Sequence, residues 1–166
     1  MKSLLFLIVL LVSTAAYCQP QIVDYTKLEK FLPEKTFGGY QRGKPVGETS
    51  SMMGFSTSWA LVTYTLPPDS SEIQLSVKIT DMLNIPSLSM PLPNINRQTS
   101  DGYEKTVVYK GIRVLETCDS TDRQEKLQFP LAGRFLVEIS GKGTQDISEL
   151  YGLLDITDLS GLKKLK

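Results

Sequence analysis

The chain has 166 residues, with 18 basic and 18 acidic side chains and no histidine. The even balance, without a basic stripe or a charged block, excludes the electrostatic footprint of a nucleic-acid binder. Without an imidazole there is no Ser-His-Asp or Cys-His proton relay, and two cysteines cannot supply a zinc thiolate set, so no catalytic residue, metal or cofactor is assigned.

The first residues read MKSLLFLIVLLVSTAAYC, one Lys followed by an apolar run and then small residues. That is the layout of a cleaved secretory signal, because the apolar run falls short of the ~20 residues that span a bilayer. Residues 1–18 are read as the signal and 19–166 as a single domain, exported to the periplasm or secreted, with no integral membrane segment after cleavage. Cutting after Ala16 or after Cys18 both satisfy the small-residue rule. A lipid-bearing Cys18 would normally follow Gly, Ala or Ser, and Tyr17 stands there instead. With Cys18 removed, Cys118 is the last cysteine and is expected to be unpaired.

Asp24 followed by Leu28, Phe31 and Leu32 predicts a brief capped helix that Pro33 ends. Residues 37–58 are rich in Gly, Ser and Thr and predict one short strand near Tyr40, then a mobile connection. Residues 59–65, WALVTYT, read as a strand. In residues 72–80, EIQLSVKIT, strict alternation puts Ile73, Leu75, Val77 and Ile79 on one face of a second strand, joined to the first by PPDSS. Runs at 103–109 and 112–117 form a hairpin across Lys110-Gly111. Runs at 125–132 and 134–140 form another across Gly133, with Pro130 pointing to an edge or a bulge. Asp146 and Glu149 announce a capped amphipathic helix with Ile147, Leu150, Tyr151 and Leu154 on one side, and a further helical turn begins at Asp158.

Strands in the middle and helices at both ends predict an α+β fold, a single antiparallel sheet of about five to seven strands covered by N-terminal and C-terminal helices. The early helix ending in Leu32-Pro33, the hairpins, the Gly133-Arg134-Phe135-Leu136-Val137 strand and the final helix resemble the α/β sandwich of PsbP-like and Mog1-like proteins. Segments such as Asp101-Gly102-Tyr103-Glu104-Lys105-Thr106 also resemble small exported proteins of unknown role from Bacteroidota-type bacteria. These motifs are short and carry no chemistry, so the resemblance implies no site residue.

Two stretches bear on function. Residues 81–95, DMLNIPSLSMPLPNI, hold seven large apolar residues and three prolines, with no charge after Asp81. The prolines forbid a long helix or a central strand, leaving an apolar loop. Its plainer reading is a cap folded over the sheet. Its functional reading is a contact surface for a partner protein or a small apolar ligand, formed by Met82, Leu83, Ile85, Leu88, Met90 and Leu92 and made adaptable by the methionines. Trp59 and Met52-Met53-Gly54-Phe55 could join that surface, although a strand aromatic is more often core.

The second stretch gathers Glu116, Asp119, Asp122 and Glu125, acids that a polysaccharide-cleaving enzyme would need as a pair. Asp119-Ser120-Thr121-Asp122 lies between strands, where Asp and Ser favour turns, and the spacing of an EF-hand is absent. Gly141-Lys142-Gly143-Thr144 lacks the Walker spacing and reads as a strand-to-helix turn. The expectation is therefore an exported, non-enzymatic domain that binds a partner or an apolar ligand; the alternative is a carboxylate-dependent hydrolase acting on polysaccharide.

Overall fold

A computed structural model describes residues 21–52, 55–66, 73–83, 85–144 and 146–165. The signal segment with Cys18, Met53-Gly54 and the loop at 67–72 lie outside the described residues. In chain order the elements are helix α1 (Tyr25–Leu28) with a 3-10 turn at Glu29–Phe31, strands β1 (Gln41–Arg42), β2 (Val46–Met52), β3 (Phe55–Thr65) and β4 (Gln74–Asp81), and a 3-10 turn at Pro86–Ser89. There follow β5 (Asn96–Thr99), β6 (Gly102–Tyr109), β7 (Ile112–Asp119), β8 (Gln124–Leu131), β9 (Phe135–Lys142), α2 (Ile147–Asp155) and α3 (Leu159–Leu162).

All nine strands join one antiparallel sheet in the order β1-β3-β4-β9-β8-β7-β6-β5, with β2 sharing the β1 side of the long β3. This corrects both the expected five to seven strands and the helix-covered α+β description. The helices are short, of four, nine and four residues, and the fold is predominantly sheet. The strands that the pattern missed, β2 and β5, are VGETSSM and NRQT, mostly or wholly exposed. Neither has a buried face to impose alternation, which is the property of an edge. β2 is held instead by hydroxyl contacts across its hairpin, Ser51 to Ser56 at 2.6 Å and Thr49 to Ser58 at 2.9 Å. The 37–58 segment is thus half strand, not a mobile connection.

The alternation in β4 does what the sequence predicts. Leu75, Val77 and Ile79 are fully buried and face the same side as Ala60, Val62 and Tyr64 of β3 and Val137 and Ile139 of β9. Leu28 of α1, Leu32 just after it, Leu150 and Leu153 of α2 and Leu162 of α3 close over them, all buried. Each such side chain contributes roughly 1.5–3 kcal/mol by leaving water. Gly141 lets α2 come close: a Cβ there would stand 3.0 Å from Leu150 and 2.5 Å from Thr144. The opposite face carries Lys78, Ser76, Ser140 and Glu138, with Ser76 and Ser140 bonded at 2.8 Å.

Pro130 lies in a central strand, contrary to expectation, but β7 pairs with β8 only from Gln124 to Gln128. At Pro130 no β7 residue is paired, so a missing N–H there costs no ladder bond on that side. The Lys110-Gly111 turn has φ of 47° and 80°, the two left-handed positions of a tight hairpin, where Gly is the natural second residue.

The connection from β4 to β5 sets up the first candidate site. β5 is the far edge of the sheet, so residues 82–95 must cross five strand spacings, about 24 Å. The remaining strands β5 to β9 then return as a meander, and β9 lands beside β4.

Candidate functional site

The crossing loop is pinned at both ends. Met82 N donates to Arg134 O at 3.0 Å. At the other end Thr106 N donates to Ile95 O at 2.8 Å, Thr106 Oγ1 to Pro93 O at 2.7 Å and Arg113 Nη2 to Asn94 Oδ1 at 2.6 Å. Between these pins the loop stands off the helix-free face and leaves a groove of about 350 Å³. Leu88, Met90 and Leu92, with Pro91 and Pro93, form its loop side. Leu115, Pro130 and Leu136 form much of its floor, and Gln128 is the polar residue there. Met90 is 66% exposed, whereas Leu92 packs against the core cluster.

Three of the six residues expected at this surface, Leu88, Met90 and Leu92, therefore meet in the groove. Met82, Leu83 and Ile85 belong to the earlier part of the loop, where Ile85 N donates to Met82 O at 3.2 Å, and they do not line it. The loop covers apolar residues of the sheet and leaves an apolar recess beside them. Leu115 and Leu136 were missed, although the sequence carries a sign of them. Each adjoins buried residues of the opposite parity, Val114 and Glu116 around one and Phe135 and Val137 around the other, so an apolar side chain there has to face the other side of the sheet. Trp59 is also on that face, half-buried, with the Lys78 ammonium 5.2 Å from its ring centroid. It is neither core nor part of the groove. Met52 is 75% exposed at the tip of the β2–β3 hairpin.

The second candidate site lies on the helix side, beside the start of α2. The turn expected at 119–122 is present: Asp119 Oδ1 accepts from Thr121 N at 2.9 Å and Asp122 N at 3.0 Å. Gly141-Lys142-Gly143-Thr144 likewise ends β9 and leads into α2, with Thr144 Oγ1 accepting from Asp146 N at 3.1 Å. Asp146 caps α2 by accepting from Ser148 N at 2.9 Å. Glu149 does not complete a capping box. It accepts from Tyr40 OH at 3.0 Å and from Thr144 Oγ1 at 2.9 Å. Burial, followed by Glu149, pushes the Tyr40 phenol up to about 12.

Glu116 and Glu125 point inward from β7 and β8, each 4% exposed. Glu116 accepts from Tyr151 OH and pairs with Lys105 Nζ at 2.8 Å. Glu125 Oε2 is buried with no hydrogen-bond partner among the described residues. Burial raises its carboxyl above the ordinary range, and the nearby Asp146, Glu116 and Glu149 charges add to the rise. A cleft of about 340 Å³ is lined by Glu125 together with Tyr103, Cys118, Thr144 and Ile147, with Asp119, Ser120, Arg123 and Gln124 also bordering it. Cys118 is a free thiol, half-buried.

Of the four candidate acids, Asp119 and Asp122 belong to a turn and Glu116 is engaged, which leaves Glu125 as the acid open to other chemistry. Among the described residues, no group of three or more Asp, Glu or Cys side chains is placed to hold a metal ion. No described helix is long and apolar enough to cross a membrane. No family model, curated protein or solved structure matches the chain, so no residue role is carried onto it from a relative.

Proposed function

We propose that this is an exported binding protein whose ligand is a small apolar molecule held between the 82–95 loop and the helix-free face of the sheet. Export rests on the signal-type sequence of residues 1–18. Binding rests on one observation, the groove of about 350 Å³ with Leu88, Met90 and Leu92 on one wall and Leu115, Pro130 and Leu136 on the other. Its volume is at the lower end for small-ligand cavities, which run ~300–1,000 Å³. A protein partner needs ~800 Å² of contact on its side, far more than a recess of this size offers, so a small molecule suits it better. Leucine and proline give it shape, and the exposed, unbranched Met90 gives it an adaptable rim.

The test is fluorescence enhancement of a neutral apolar dye, N-phenyl-1-naphthylamine, on the purified chain. Saturable enhancement is expected, with loss of about tenfold or more in affinity in Leu136→Gln, which puts an amide into the groove floor while leaving buried Phe135 and Val137 in place. No saturable enhancement in the parent chain, or equal affinity in a folded Leu136→Gln, would remove the proposal.

A further inference from the structure

We propose a second, separate site: the cleft between the β7–β8 turn and the start of α2 binds the ammonium group of a small organic amine, with Glu125 as its carboxylate partner. The cleft is on the helix side of the sheet and shares no residue with the apolar groove.

Three observations lead to this ligand. Glu125 is 96% buried, since only 4% of it is exposed, and its Oε2 has no partner among the described residues, so an acceptor is held at the cleft with nothing given to it. Such a group costs free energy and calls for a donor.

The charges around it are mostly negative. Glu116 on β7 is offset by Lys105 on β6, but Asp119 bordering the cleft and Asp146 and Glu149 at the start of α2 pair with no cation among the described residues, and Glu125 itself does not either. Arg123, in the β7–β8 turn, is the basic residue lining the cleft, and its Nη2 donates to Gly143 O at 3.1 Å. The missing donor is therefore expected to be cationic.

The walls then select the kind of cation. The described residues bring no three metal-ligating side chains together, whereas an ammonium needs one buried carboxylate and room for its carbon chain. Tyr103, Cys118 and Ile147 supply a largely apolar wall for that chain, and about 340 Å³ accommodates a molecule of a few carbons.

An ammonium favours ionised Glu125. In the free protein burial and the acids Asp146, Glu116 and Glu149 hold that carboxyl up, so binding releases a proton and tightens as pH rises through its raised pKa.

The experiment is calorimetric titration of the purified chain with 1,4-diaminobutane, with 1,4-butanediol and calcium chloride as comparisons. Expected results are saturable binding of the diamine, none of the diol, and diamine binding that tightens as pH rises above the ordinary carboxyl value of 4.5. Glu125→Gln is expected to weaken the diamine about tenfold or more and to abolish the pH dependence. Arg123→Gln, which removes the cation bordering the cleft, is expected to tighten it about twofold to fivefold. Absence of diamine binding, equal binding by a folded Glu125→Gln, or calcium competing for the cleft with the same dependence on Glu125 would overturn the proposal. Should Glu125→Gln not fold, unchanged affinity in Arg123→Gln would do so by itself.

Discussion

The two halves of the sheet are built on the same alternation and end differently. In the half made by β3, β4, β9 and β8, inward residues such as Val62, Val77, Ile139 and Leu127 are fully buried beneath the helices. On the far side, in the wing, inward Tyr103, Lys105, Val107 and Tyr109 of β6 are only half-buried and β5 is exposed throughout, while Val114 and Glu116 of the intervening β7 are still buried. Helix position accounts for the difference: α2, nine residues long, packs chiefly on β9 and β8. The wing is left to polar side chains: Lys105 with Glu116 at 2.8 Å, and Tyr109 and Lys110 with Asp155, the latter at 2.6 Å. The Glu125 cleft lies where the helical cover gives out, whereas the apolar groove is on the face that carries no helix.

The sharpest break of the covered half should come at its buried ion pair. Asp81, with no exposure, takes Arg134 Nε at 2.9 Å and Nη2 at 2.7 Å, and also Val23 N at 2.7 Å, while Arg134 Nη2 reaches Gln21 O. One pair thus fastens the incoming chain to the ends of β4 and β9. Arg134→Met would leave Asp81 buried without its cation, and about 3–5 kcal/mol of stability is expected to be lost. Urea denaturation measures this, and a loss under about 1 kcal/mol would mean that the pair does not carry the junction.

Next in size is the contrast between the halves themselves. Ile139→Ala in the covered half removes fully buried methylenes from between β4 and β8, and about 2–5 kcal/mol is expected to go with them. Val107→Ala in the wing removes a side chain that water already reaches, and about 1 kcal/mol or less is expected. Equal losses in the two variants would show that the wing is as tightly closed as the core.

The same division decides what could be read without coordinates. β4 and β9 were legible because one face of each is apolar, β6, β7 and β8 because the turn residues Lys110-Gly111 and Gly133 bound their runs, and α2 and α3 because Asp146 and Asp158 accept amide hydrogens from the first turn. β2 and β5 were not, since Ser50 and Ser51, or Arg97 and Gln98, show no buried side to the sequence. Half of the groove was legible in the charge-free Leu88, Met90 and Leu92. The floor was not, because Leu115 and Leu136 fall under the loop only through the β4-to-β5 crossing, a long-range fact of strand order. Glu125 stood among the acids considered, but its burial depends on α2 folding back across β8, which local pattern does not show.

The smallest effect tests the wing's margin through pH. The Glu125 carboxyl is raised in the folded protein from an ordinary 4.5, so folding binds its proton more tightly than the unfolded chain does. Its contribution is therefore fully present below about pH 4.5 and is lost as pH rises through the folded pKa. Gln in its place keeps the shape and never ionises. Glu125→Gln should consequently match the parent chain in acid and exceed it at neutral pH, by about 1 kcal/mol for relief of one buried, unpaired carboxylate. Thermal unfolding of both chains across that range measures the difference. A variant less stable than the parent at neutral pH would mean that the ionised carboxylate has a partner in the folded protein, and the cleft would then have no acceptor to offer an amine.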